Sequence, residues 1–209
     1  MDFYFGHVSG NSARAAFGIF EAGAAFTPCP TDPARGDSKK PAYLALNPMG
    51  KVPALVDGPV RLWESNAINL YVAEQHPEAG LIPTSAAGRA SMMRWLFFQA
   101  GHISPVCRTL MFATSRRVRE FWNVTIDPPD IDGARAELGR YLPVLEAALR
   151  ERPWLEDTFT LADVAYASHV WLVAEGGFDL SPTPAVQAWL ERMMARPAWK
   201  KTAALIFDL

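Results

Sequence analysis

The rhythm of apolar and polar positions changes part-way along the chain. Residues 2–6 (DFYFG) are short and aromatic, the pattern of a strand. Over residues 12–21, Ala13, Ala16, Phe17 and Phe20 recur at helical spacing, and Gly23 follows where a helix would end. Residues 24–29 read as a second strand stopped by Pro30, and residues 31–40 as a polar, turn-rich stretch. Residues 52–56 and 60–63 flank Asp57-Gly58, a turn dipeptide, and so predict a hairpin. Residues 65–75 place Ile68, Tyr71 and Val72 on one helical face, and His76-Pro77 ends that helix. The order is β-α-β, an irregular stretch, then β-β-α.

The remainder is helical. Residues 76–88 (HPEAGLIPTSAAG) are rich in Pro, Gly, Ser and Ala, as a linker is. Residues 89–113 form a long apolar helix pattern. Leu138, Tyr141, Leu142, Leu145 and Leu149 make a clean stripe over residues 134–150, interrupted by Pro143, which predicts a kink or two shorter helices. Val186, Trp189, Leu190, Met193 and Met194 make another stripe, ended by Arg196-Pro197. Thr160-Leu161-Ala162-Asp163 predicts a capping box in which hydroxyl and carboxylate each take a backbone N–H, with Phe159 and Val164 at the staple positions. Asp163 is therefore a folding signal and not a catalytic acid. The expected organisation is an α/β domain over residues 1–79, a linker at 80–88 and an all-α domain over 89–209.

Composition narrows the function classes. The 209 residues are half apolar, which excludes a disordered chain. Twenty Lys and Arg against 22 Asp and Glu leave a net charge of −2, without the basic excess of a general nucleic-acid binder. Arg116, Arg117 and Arg119, the densest basic stretch, read as a solvated helix face. Cys29 and Cys107 form neither a CxxC pair nor a zinc set, and both are expected to be small buried hydrophobes. No apolar run reaches the roughly 18–20 residues of a membrane span. No Lys or Arg precedes Arg14, so no secretory leader is expected. A cytoplasmic protein without a membrane or nucleic-acid partner fits these features.

Three motifs in order carry a resemblance. Residues 47–58 (NPMGKVPALVDG), Glu64-Ser65-Asn66-Ala67-Ile68, and residues 159–166 (FTLADVAY) resemble the cytosolic glutathione transferase family, of a bacterial type with a serine active site. The resemblance covers essentially the whole chain. It implies a thioredoxin-like N-terminal domain, a helical C-terminal domain and a homodimer. It also implies glutathione as co-substrate, no metal, and an apolar electrophile as the second substrate, with detoxification as the broad role.

The residues support those expectations in physical terms. The resemblance implies a cis bond before Pro53, which would turn the backbone of Val52 outward so that an extended peptide adds to it as a strand. Ser65 opens a helix whose N-terminus suits a γ-glutamyl carboxylate, and Glu64 suits the ligand's amino group. The glycine carboxylate at the other end needs a cation. Ser38 and Lys39 match a His-Lys pair of the family, with the His lost, and Lys51 is a second candidate ahead of Lys40. The thiolate needs a donor from the turn before the first helix, because a thiol near its ordinary pKa is mostly protonated at pH 7. Ser9 stands five residues before Arg14, as in serine-type members, with Asn11 and Ser12 as rivals. The turn has no Cys, which argues against disulfide exchange; a glutathione-dependent reductase, peroxidase or isomerase and a non-catalytic binder remain alternatives. The second substrate is expected between the domains, against residues 89–113, where His102 and Met111 are weak candidates.

Overall fold

The structure is a computed structural model that describes residues 1–122 and 128–208. It divides into two compact units, Met1–Leu81 with Pro197–Leu209, and Ile82–Arg196.

The first unit runs β1 (Asp2–Phe5), α1 (Gly10–Glu21), β2 (Thr27–Pro30), α2 (Pro41–Leu44), β3 (Ala54–Asp57), β4 (Val60–Trp63) and α3 (Ser65–Gln75). The sheet order is β2-β1-β3-β4, with β1 parallel to β2 and antiparallel to β3, and β3 antiparallel to β4. This is the expected thioredoxin-like arrangement. Alternation along β1 builds two faces. Phe3 and Phe5 are buried together on one, with ring centroids 5.7 Å apart. Tyr4 lies on the other, against a cluster of Tyr43, Val52 and Ala54. The Tyr43 hydroxyl donates to the Lys51 carbonyl at 2.6 Å, which ties α2 to the lead-in of β3.

Local differences from the sequence expectation have local causes. β2 starts at Thr27, and Pro30 belongs to it instead of stopping it. The strand lies at the sheet edge, bonded only to β1, where missing proline donors cost nothing. Cys29 on that edge is half-exposed, unlike the buried Cys107. β3 starts only at Ala54, because Val52 and Pro53, joined by the implied cis bond, stand outside the ladder.

The second unit holds α4 (Ala86–Phe98), a π-type turn at Gln99–Ile103, α5 (Ser104–Thr114), α6 (Arg116–Trp122), α7 (Pro128–Leu149), α8 (Leu161–Glu175) and α9 (Pro184–Ala195). The expected long apolar helix is thus one run with a wider turn inside it. It begins within the expected linker, where the Ser85 hydroxyl caps the N–H of Gly88 at 3.0 Å. Pro143 neither ends α7 nor divides it; the helix runs through, and the carbonyl deprived of a donor belongs to Gly139. Arg116 pairs with Glu120 at 2.7 Å and Arg117 with Glu175 at 3.5 Å, both within this unit.

Helix α8 is buried on nearly every side, as expected of a helix apolar all round. Its start is closed from within. The Thr160 hydroxyl accepts from the N–H of Ala162 at 3.2 Å, and the Asp163 carboxylate accepts from the N–H of Thr160 at 3.2 Å. Asp163 also takes the Leu155 N–H and the Trp189 indole N–H, each at 3.0 Å, which anchors both the preceding loop and α9. Burial pushes the Asp163 carboxyl up to about 6, against the lowering effect of these donors.

The last helix, α10 (Pro197–Phe207), belongs to the first unit and not to the helical one expected to contain it. Trp199 meets Phe17 of α1 edge to face, with centroids 5.5 Å apart, and the Ile206 carbonyl accepts from the Val8 N–H at 2.9 Å. A helical stripe tells which face is buried; it does not name the neighbour that buries it.

Candidate functional site

One recess of the first unit gathers residues from three separate segments. Asn11 comes from α1, Lys51, Val52 and Pro53 from the lead-in to β3, and Glu64 and Ser65 from the start of α3; Asn47, Met49 and Trp63 complete its wall. The fold converges here for stated reasons. The Asn47 side chain donates to the Lys51 carbonyl at 2.7 Å and accepts from the Met49 N–H at 3.0 Å, which shapes the loop into the recess. Gly50 is required in that loop: its φ is +60°, and a Cβ there would lie 2.7 Å from the Lys39 ammonium and 2.9 Å from the Ser38 carbonyl. Among the described residues, nothing bonds to the backbone N–H or carbonyl of Val52, so this stretch is open to an added strand.

Two residues, Glu64 of the recess and Val8 ahead of α1, hold uncommon backbone conformations. Glu64 has φ +73° and Val8 has φ +51°, both in a region that residues with a Cβ seldom adopt. Each stands next to a sequence-predicted site residue, Ser65 and Ser9. Strain of this kind concentrates where position matters more than local stability. Glu64 is exposed, and its side chain makes no cap, so the start of α3 is not closed by the residue that precedes it.

The turn before α1 sorts its three candidates. Ser9 is the N-cap: its hydroxyl accepts from the Ser12 N–H at 3.2 Å and keeps its own proton to donate. Ser12 is fully buried, and its hydroxyl accepts from the Gly6 N–H at 3.1 Å, so it serves the fold and not the recess. Asn11 is exposed at the recess, with its side-chain oxygen 3.0 Å from a guanidinium nitrogen of Arg14.

The expected cation end is partly assembled. Lys51 lines the recess, whereas the Lys39 ammonium turns to the Met49 carbonyl at 3.3 Å. Lys40 pairs with Asp37 at 2.6 Å. Ser38, at the place of the family's His, is buried and presents no hydroxyl outward.

The two second-site candidates do not act together. His102 is exposed at the π-type turn and stacks near Phe98 and Tyr141, with centroids 5.3 and 5.5 Å away. Met111 is buried at 4% exposure in the core of the second unit, and is withdrawn as a binding residue.

Arg14, which served the sequence reading only as a spacing mark, proves to be bonded to two of the candidate site residues. It is 3% exposed, and one guanidinium nitrogen reaches both Asn11 and, at 2.9 Å, the Ser65 hydroxyl. The signal was available: an arginine between Ala13 and Ala16 on an apolar helix is buried only for a reason.

Comparison with known proteins agrees with this geometry. Residues 3–74 match the family model "Glutathione S-transferase, N-terminal domain", and residues 91–197 match "Glutathione S-transferase, C-terminal domain". Glutathione S-transferase 3 of Zea mays is 36% identical over 95% of this chain and 91% of its own. The crystal structure of glutathione transferase F2 from Populus trichocarpa superposes with a TM-score of 0.89 at 28% identity, covering 100% of this chain and 99% of that one. The theta class glutathione S-transferase of Xanthomonas axonopodis, solved with glutathione bound, gives a TM-score of 0.87 at 33% identity over 96% of this chain and 95% of its own. With a sheet, a helical unit and a recess of the expected kind, and with both family domains matched in order, the chain belongs to the glutathione S-transferase family.

Proposed function

We propose that this enzyme binds glutathione in the recess of its first unit and conjugates it, through its thiolate sulfur, to small apolar electrophiles. The single observation that carries the reading is the convergence of the unbonded Val52 backbone with the open start of α3 and with Lys51 in one recess. The cysteinyl backbone of glutathione extends the strand edge at Val52. Its γ-glutamyl carboxylate takes the Ser65 hydroxyl and the α3 dipole, and its amino group takes Glu64. Lys51, with Lys39 beside it, faces the glycine carboxylate.

The Ser9 hydroxyl, oriented by its bond from Ser12, donates to the sulfur and stabilises the thiolate; Asn11 is the second donor. The thiol proton leaves to solvent. The thiolate electron pair then forms the new carbon–sulfur bond, and the electrophile's leaving group departs with its own pair. Lowering a thiol pKa by about 2 units takes roughly 2.7 kcal/mol of differential stabilisation, within reach of two charge-assisted hydrogen bonds.

The family resemblance also carries a cytoplasmic homodimer as our reading. Sedimentation velocity tests the dimer. The decisive experiment is an ultraviolet difference titration of glutathione with and without the protein, followed by turnover of 1-chloro-2,4-dinitrobenzene. A bound thiol that titrates about a unit or more below the free thiol, and turnover lost in Ser9→Ala, are the expected results. Saturable binding with an unmoved thiol would replace this reading with a carrier.

A further inference from the structure

Asn11 and Ser65 are both ambivalent groups. An amide presents either an oxygen or an NH2, and a hydroxyl either donates or accepts. In this structure one nitrogen of Arg14 donates to both, to the Asn11 amide oxygen at 3.0 Å and to the Ser65 hydroxyl oxygen at 2.9 Å. Arginine has no acceptor, so each partner must meet it with an oxygen lone pair. The consequence is the same at both ends. The Asn11 NH2 and the Ser65 proton are left as the groups able to donate to a ligand.

Arg14 is itself held. The side-chain amide of Asn69, on α3, donates to the Arg14 carbonyl at 3.0 Å. That amide lies where a side chain on Gly18 would be: a Cβ on Gly18 would come within 2.4 Å of it. The helix carrying Asn11 and the helix opened by Ser65 are thus locked together around this arginine.

We propose that Arg14 is a positioning residue that turns Asn11 and Ser65 into obligate donors, and so selects a ligand with two separated anionic groups, a thiolate and a carboxylate. The proposal rests on the reading of the recess as the glutathione site. It makes the two ends of the site depend on one another: removing the arginine frees both groups to present oxygen to an anion.

The test is a set of double-mutant cycles read by two measurements, KM for glutathione and the pKa of the bound thiol, on variants whose near-ultraviolet circular dichroism matches the parent. Arg14→Met is expected to raise KM about tenfold or more and the bound thiol pKa by about one unit, and Arg14→Lys to recover part of each. In an Asn11→Ala background the effect of Arg14→Met on the thiol pKa shrinks by more than half; in a Ser65→Ala background its effect on KM does. Additive effects in both backgrounds, or a folded Arg14→Met with both quantities unmoved, would overturn the proposal.

Should Arg14→Met fail to fold, Asn11→Asp decides. Aspartate still accepts from Arg14 but offers the recess no donor, so the bound thiol pKa must rise; an unmoved value overturns the role assigned to Arg14. Failure of the underlying reading looks different: Ser9→Ala and Ser65→Ala would then leave both the thiol titration and KM untouched.

Discussion

Helices α3 and α8 begin in opposite ways. At α8 the chain supplies its own carboxylate: Asp163 is fully buried and collects N–H groups from Thr160, Leu155 and Trp189. At α3 the preceding Glu64 turns away at φ +73° and caps nothing, and Ser65 is held from behind by Arg14. Both helix starts carry the same orphan donors and partial positive charge. The difference lies in who brings the anion. Where the protein brings it, the helix start is a keystone of the fold; where the protein withholds it, the start stays open. Asp163 does inside the second unit what a bound glutamyl carboxylate would do at the first.

The closed helix start is the more fragile of the two. Asp163→Ala leaves three buried donors without an acceptor and is expected to cost about 3–5 kcal/mol of stability, measured by denaturant unfolding. Next comes pH. The folded Asp163 carboxyl lies near 6 against an ordinary 3.8. Below the ordinary value both states are protonated and its contribution is whole. As pH rises through the folded value the unfolded state releases its proton more readily, and the contribution is lost. The stability of the parent relative to Asp163→Asn should therefore fall by about 3 kcal/mol between pH 4 and pH 6. A flat difference would mean that the donors hold the carboxylate ionised throughout.

At the open end the effects fall on catalysis. Ser9→Ala removes one of the two donors and should cost roughly 1.4 kcal/mol in kcat/KM below the free thiol pKa, about tenfold, with about 1 kcal/mol of stability from the lost cap. Ser65→Asp gives α3 the carboxylate it lacks. Glutathione binding should weaken more than about tenfold, while the melting temperature holds or rises, because an acid in a first helical turn is stabilising. A variant that still bound glutathione would show that the ligand's anion goes elsewhere. The smallest change, Thr160→Ala, should cost about 1 kcal/mol and leave KM for glutathione unchanged.

What was readable in the sequence was local. The hairpin around Asp57-Gly58, the capping box at Thr160 and the helix start at Ser65 are each set by residues within a few positions of one another. Ser9 and Asn11 could be named but not separated from Ser12, because only the fold shows Ser12 buried and committed to the Gly6 N–H. Pro30 was misread as a stop because edge position is a property of the whole sheet. Met111 was misplaced because an apolar helix pattern does not distinguish a pocket wall from a core. The pairing of Arg14 with Ser65 spans 51 positions, and no spacing rule reaches so far.

The bond between the Val8 N–H and the Ile206 carbonyl has a consequence in time. A ribosome delivers a chain from its first residue onward, so the sheet, α1 and every residue of the recess emerge early. The helix that completes their unit is translated only after the whole helical unit has been made. Long-range closure of this kind is slow to form and leaves early segments waiting with apolar surface uncovered. Of the two units, the one begun earlier is the one completed later.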